Sequence, residues 1–186
     1  MTKETFTENS GNENISKEDY ELAKKALEKE VRAFHCPSYH DLPDIGLYLE
    51  QVLGIINQSL QLISPEPTTG AMISNYIKAG VIPAPVKKRY YRKHLCYIII
   101  TTLLKPIFSL QQIAGFFELQ KKTYPHEVAY TFFCHEFENA LKEAFFFTGK
   151  PLPSIETKRT NETILVRSMV LAAVNRVYVE KQFQNK

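Results

Sequence analysis

Seven cations crowd into the 51 residues from Pro67 to Phe117, a stretch with no Asp or Glu: Lys78, Lys87, Lys88, Arg89, Arg92, Lys93 and Lys105. The 186-residue chain has a formal net charge of only +3, so the remainder carries −4. Charge segregated in this way attracts a polyanion, and its chemistry is the neutralisation of phosphates by ammonium and guanidinium groups. The same charges would also suit a solvated helical face, so the order of residues has to decide between the two.

Two other clusters could do chemistry. His35, Cys36, His40 and Asp41 include metal-ligating types, but no second Cys/His pair at ligand spacing completes a tetrahedral zinc set. With Pro37 and Pro43 beside them, they read as a turn between helices. His126, Cys134, His135 and Glu136 form the closest approach to a catalytic set. Sequence neighbours on a helix diverge by about 100°, so Cys134 and His135 would not face each other. No Gly-rich phosphate loop, paired-His metal motif, nucleophile elbow or kinase signature is present. The expectation is a protein that is no enzyme and takes no metal or cofactor.

The elements that must position the basic residues can be read from caps and periodicity. Thr68 or Thr69 can cap a short helix whose inner face is Ile73, Tyr76 and Ile77, leaving Ser74, Asn75 and Lys78 outside. Gly80 suits a left-handed C-cap, and Pro83 and Pro85 keep the helix from resuming. Lys87, Lys88, Arg89 and Tyr90 then read as a basic strand or wing. A buried helix starts near Arg92 and covers Leu95 to Leu104, and Ser109 with Gln112 forms a capping box for the next, carrying Leu110, Ile113, Phe116 and Phe117. Upstream, Asp44 to Leu62 reads as a helix burying Leu47, Val52, Leu53, Ile56 and Leu60.

This order resembles the DNA-binding domain of MerR-type regulators. Tyr76, Gly80, Val81, Ile82 and Pro83 match the run that ends the second helix there. Arg89, Tyr90 and Leu95 match the end of the wing, and Phe108 to Ile113 resembles the start of the following helix. The frame from about Leu42 to Leu119 also resembles a bacterial family known as domain of unknown function 1836, through Leu42 to Ile45 and the Asn75-Tyr76-x-x-Ala79-Gly80 core. The resemblance implies a mainly all-α fold with a MerR-like winged helix-turn-helix core. Three features depart from the MerR pattern. Ser74-Asn75 stands in place of the Arg-Tyr contact pair. Val86 and Tyr91 replace the wing Gly and the following N-cap Ser. Ser64 to Thr69 makes a longer connection between the first two helices.

The expected organisation is a disordered 1–14, an N-terminal helix or arm over 15–40, the winged helix-turn-helix over 41–120 and a C-terminal helical pair over 121–186. Ser16 would cap the first helix, whose stripe is Tyr20, Ala23, Leu27, Val31 and Phe34. Residues 1–50 hold eleven acids against six Lys or Arg, giving it an acidic outer face. It is expected to cover its own core, with packing on a partner as the rival. Pro125 begins a helix to about Phe147 with Val128, Phe132, Phe133, Phe137, Ala140, Leu141, Ala144 and Phe145 on a broad face, broken by Gly149, Pro151 and Pro153. The last helix, about Glu162 to Lys181, is apolar on more than one side and suits burial or sharing between chains. A phenylalanine face is expected to be core before it is an effector pocket. Three unpaired cysteines, a polar N-terminus and no apolar run of spanning length lead to a cytoplasmic, non-membrane expectation.

The functional expectation is a transcriptional regulator that binds double-stranded DNA as a homodimer. Ser74, Asn75 and Lys78 would enter the major groove, with Tyr76 and Tyr90 half in the core. Lys87, Lys88, Arg89, Arg92 and Lys93 would meet phosphates. Neutralising about four phosphates per protomer gives a salt slope near −7 for the dimer. The alternative is a non-enzymatic protein-interaction module on the same scaffold.

Overall fold

Eleven consecutive residues, His94 to Leu104, are buried, so over that run the helix that carries them has no solvent side. The computed structural model describes residues 17–146, 154–155 and 158–184. These contain seven helices: α1 (Lys17–Ala33), α2 (Leu49–Leu60), α3 (Gly70–Lys78), α4 (Arg92–Leu104), α5 (Leu110–Thr123), α6 (His126–Phe146) and α7 (Asn161–Gln184). The expectations for residues 1–14, the Ser16 cap and the breaks at Gly149, Pro151 and Pro153 fall outside the described residues, as does the side chain of Tyr20. No described helix is long and apolar enough to cross a membrane.

Helix α4 contains the β-branched run Ile98-Ile99-Ile100, which has only modest helix propensity. Burial on all sides overrides that preference, because α2, α6 and α7 each pack against α4 and each sealed side chain contributes roughly 1.5–3 kcal/mol. One continuous apolar cluster results, running from Leu27 in α1 to Val177 in α7. Helix α1 lies on α6 of its own chain, with Leu27, Val31 and Phe34 inward and the Phe34 ring 6.3 Å from that of Phe137.

The local signals for the middle of the chain hold. Thr69 accepts from the Met72 N–H at 3.3 Å and opens α3. Gly80, at φ +72°, closes it, with its own N–H on the Ile77 carbonyl and the Val81 N–H on that of Tyr76. Ser109 and Gln112 cap α5 reciprocally, at 3.2 and 2.9 Å.

Three expectations need correction. Helix α2 starts at Leu49, not Asp44, because Leu47 gives its N–H and C=O to Tyr90 (2.8 and 2.9 Å) and cannot enter a helix. Gln51 then reaches back to the Tyr48 N–H at 2.9 Å. The basic strand is absent. Among the described residues there are only two isolated bridges, Leu47 to Tyr90 and Val86 to Arg89, the second closing a two-residue turn. Finally, Val128 is 50% exposed, and Ile164, Leu171 and Val179 face outward on α7, whose inner face (Val166, Met169, Val170, Val174, Val177) packs along α6.

Candidate functional site

The α3 segment is short, and its presentation depends on a clamp that periodicity does not reveal. Asn57, on α2, receives the Thr68 N–H at 2.8 Å and donates Nδ2–H to the Thr68 carbonyl at 3.1 Å. The Thr68 hydroxyl meets that of Thr102 on α4 at 3.3 Å. The long Ser64–Thr69 connection is thereby fixed to two helices just before α3 begins. Ile73 and Tyr76 anchor the inner side of α3, and Ser74, Asn75 and Lys78 stand exposed on the other. Burial pushes the Tyr76 and Tyr90 phenols above their usual pKa, so both are uncharged core groups.

After α3 the chain turns through Pro83 and Pro85 to the tight turn Val86-Lys87-Lys88-Arg89. Val86 and Arg89 exchange both backbone hydrogen bonds, at 3.0 and 2.9 Å. Lys87 has φ 48° and Lys88 φ 62°. Two left-handed residues in a row at a two-residue hairpin tip form the turn type that favours Asn-Gly. Each L-residue held there costs about 1–2 kcal/mol. Both lysines are exposed.

Two of the remaining basic residues, Arg89 and Arg92, are committed elsewhere. Arg89 donates to the Tyr48 hydroxyl at 2.6 Å and stacks on that ring. Arg92 donates from Nε to the Leu42 carbonyl at 2.8 Å, lies 3.5 Å from Asp44 and sits over Tyr39. These two guanidinium groups hold the 39–48 segment against the turn and the start of α4. Lys93 lines a cavity between α4, α5 and α6. Of the ten residues expected to meet DNA, therefore, Ser74, Asn75, Lys78, Lys87 and Lys88 are exposed, with no side-chain partner among the described residues. Tyr76 and Tyr90 are core, Arg89 and Arg92 are engaged by the 42–48 segment, and Lys93 is exposed at the rim of that cavity.

His94 was also missed. The Tyr91 N–H donates to its Nδ1 at 3.0 Å, which leaves Nε2–H for the Ala84 carbonyl at 3.2 Å. The ring thus caps α4 and anchors the chain entering the turn. A His three residues past a Tyr carries no capping signal in sequence, because that role belongs to Glu or Gln.

The other two clusters have structural partners. His35 pairs with Glu138 at 2.9 Å and His40 with Glu127 at 2.9 Å. Cys36, Cys96 and Cys134 form no disulfide and are buried; the hydrogen bond to Cys134, then burial, pushes the Cys36 thiol well up, and burial pushes up that of Cys96. Glu136 accepts from Arg167 at 2.9 Å and from Ser154, tying α6 to α7 and the segment before it.

The family model described as Domain of unknown function (DUF1836) matches residues 37–133, just over half the chain, and the protein belongs to that family. The matched region runs from the turn before α2 into α6 and contains all ten expected contact residues. No curated protein and no solved structure gives a significant match.

Proposed function

We propose that this protein is a DNA-binding transcriptional regulator whose α2–α3 pair and Lys87-Lys88 turn act as a MerR-like winged helix-turn-helix, working as a homodimer in a reducing, cytoplasmic setting. The observation that carries the reading is the pair of surface lysines held at positive φ on the turn. Backbone strain of this kind is retained where the side chains have work to do, and two ammonium groups on a protruding tip suit phosphates. Beside them, α3 presents Ser74, Asn75 and Lys78. Asn can pair bidentately with adenine, and Ser can meet bases or phosphates. With Arg89 and Arg92 engaged internally, Lys78, Lys87 and Lys88 remain as phosphate contacts. Three per protomer lowers the expected salt slope of a dimer to about −5.

A second reading is a protein-interaction module, and the outward face of α7 favours it. Ile164, Leu171 and Tyr178 lie exposed at seven-residue steps. One experiment separates the two. Binding to random-sequence duplex DNA is titrated with salt, and mass is measured by size exclusion on the same sample. Steeply salt-dependent binding supports the regulator. No binding at about 50 mM salt, where non-specific electrostatic binding is strong, removes it. If binding is seen, Asn75→Ala should change sequence preference more than overall affinity.

A further inference from the structure

The bridge that holds back the start of α2 has an outward face that the fold leaves open. Leu47 and Tyr90 exchange both backbone hydrogen bonds and are buried. Extended backbone alternates, so the flanking pairs, Tyr48 opposite Arg89 and Gly46 opposite Tyr91, face outward. The Arg89 guanidinium lies over the Tyr48 ring at 3.4 Å. A Cβ at position 46 would meet the Arg89 Cβ at 3.1 Å and the Tyr91 hydroxyl at 3.2 Å, so the glycine lets these side chains close into one strip. Tyr48 is 55% exposed and Tyr91 37%. Ile45, next to Gly46, and Val86, bridged to Arg89, are also exposed and border the strip. Exposed apolar residues gathered in one place mark a contact surface, whereas scattered ones do not.

The charges around the strip select its partner. Lys87 and Lys88 stand at the tip between Val86 and Arg89, and Lys93 is exposed in the first turn of α4. The nearby acids are Asp44, 3.5 Å from Arg92, and Glu50 in the first turn of α2. The surroundings thus remain positive and suit phosphates. Bases inside a duplex are already stacked on one another and offer a tyrosine no open face. Unpaired bases do offer one, and aromatic rings and guanidinium planes stack on them, gaining about tenfold or more in affinity per base.

We propose that the Tyr48–Arg89–Tyr91 strip binds single-stranded nucleic acid, with Tyr91 and the Tyr48–Arg89 stack each taking an unpaired base and Lys87 and Lys88 meeting phosphates of the same strand. The run Val86 to Lys93 mixes cations with aromatic residues, and the inward turn of Tyr90 is what leaves Tyr91 facing out. Every residue invoked lies within the family-matched segment. The proposal rests on the regulator reading only for the phosphate role of Lys87 and Lys88. It adds a preference for unpaired bases, in a melted stretch of DNA or in RNA, that duplex recognition by α3 does not contain.

The experiment is fluorescence anisotropy of the full chain with labelled single strands of mixed-sequence DNA and RNA, about 12 nucleotides long, and with the same DNA as a duplex. At about 50 mM salt, at least one single strand is expected to bind about tenfold tighter than the duplex, the tighter of DNA and RNA naming the source. Tyr91→Ala should weaken single-strand binding about tenfold and leave duplex binding within about twofold. Tyr91→Phe keeps the ring and should bind like the original chain. Arg89→Lys keeps the charge but loses the plane, and should also weaken the single strand more than the duplex. Melting temperatures of the three variants are measured alongside. Duplex binding as tight as single-strand binding would overturn the proposal and leave the regulator reading standing, as would single-strand affinity unchanged in Tyr91→Ala. Tight single-strand binding with no duplex binding would remove the regulator reading alone. No binding of any strand would overturn both.

Discussion

Lys87 and Lys88 set two properties of the turn against each other. Replacing them by Asn-Gly supplies the residues that a left-handed two-residue tip prefers. The double variant Lys87→Asn/Lys88→Gly should therefore gain about 1–2 kcal/mol in urea denaturation. On the regulator reading it should also lose DNA affinity, and the salt slope should shrink by about 2 per protomer. Gain in stability with DNA binding unchanged would sink the assignment of the lysines. His126 gives a second expectation at this scale. Burial first, then Lys93 and Lys121, lower its pKa from 6.5 to about 4. The unfolded chain thus takes up the proton more readily. Its contribution is fully present above about pH 6.5 and is lost as pH falls through about 4. Because the ring is partly exposed, solvent screening reduces the loss to about 1–2 kcal/mol. His126→Phe should flatten that part of the stability–pH curve, read by denaturation at pH 7.5 and 4.5.

Elements are joined here by polar clamps more specific than apolar packing. Asn57 satisfies both backbone groups of Thr68, and so fixes the connection between α2 and α3. Asn57→Asp keeps the acceptor but loses the donor, leaving a carboxylate near the Thr68 carbonyl. A cost of about 1–3 kcal/mol is expected in urea unfolding, with Asn57→Ser intermediate. At the other end, Glu136 is buried under Arg167. Arg167→Met should cost about 2–3 kcal/mol, because a carboxylate is left in a dry place, and adding Glu136→Gln should recover part of it. A neutral result for Arg167→Met would mean that Glu136 finds another cation.

At the scale of the molecule, a single apolar core leaves one long helix with a face uncovered. Leu171 is 48% exposed and Ile164 41%. Ile164, Leu171 and Tyr178 recur every seven residues, the spacing at which two helices can pair along a seam. The homodimer reading predicts that Leu171→Glu converts a dimeric mass to a monomeric one by size exclusion. Monomer stability should stay within about 0.5 kcal/mol, since the site is on the surface. A wild-type chain that is monomeric at high concentration would remove the dimer and favour a different partner for this face.

Caps, breakers and periodicity determined α3, α5 and the C-cap at Gly80, because each depends on atoms within a few residues. The all-helical class, the burial of α4 and the basic segment were legible for the same reason. Position along the chain could not say which cations were free. Arg89 and Arg92 are drawn to Tyr48, Gly46, Leu42 and Asp44, some 40 to 50 residues away in sequence. Nor could it say that Leu47 would pair with Tyr90 and hold back the start of α2. Gln120 continues the stripe Ile113, Phe116, Phe117 at the next helical step, and a polar residue there was the one local hint of a cavity. The sequence by itself determined which elements form and where charge collects. Only the tertiary structure decided which polar groups are already satisfied, because hydrogen bonds between distant segments depend on geometry that no local pattern contains.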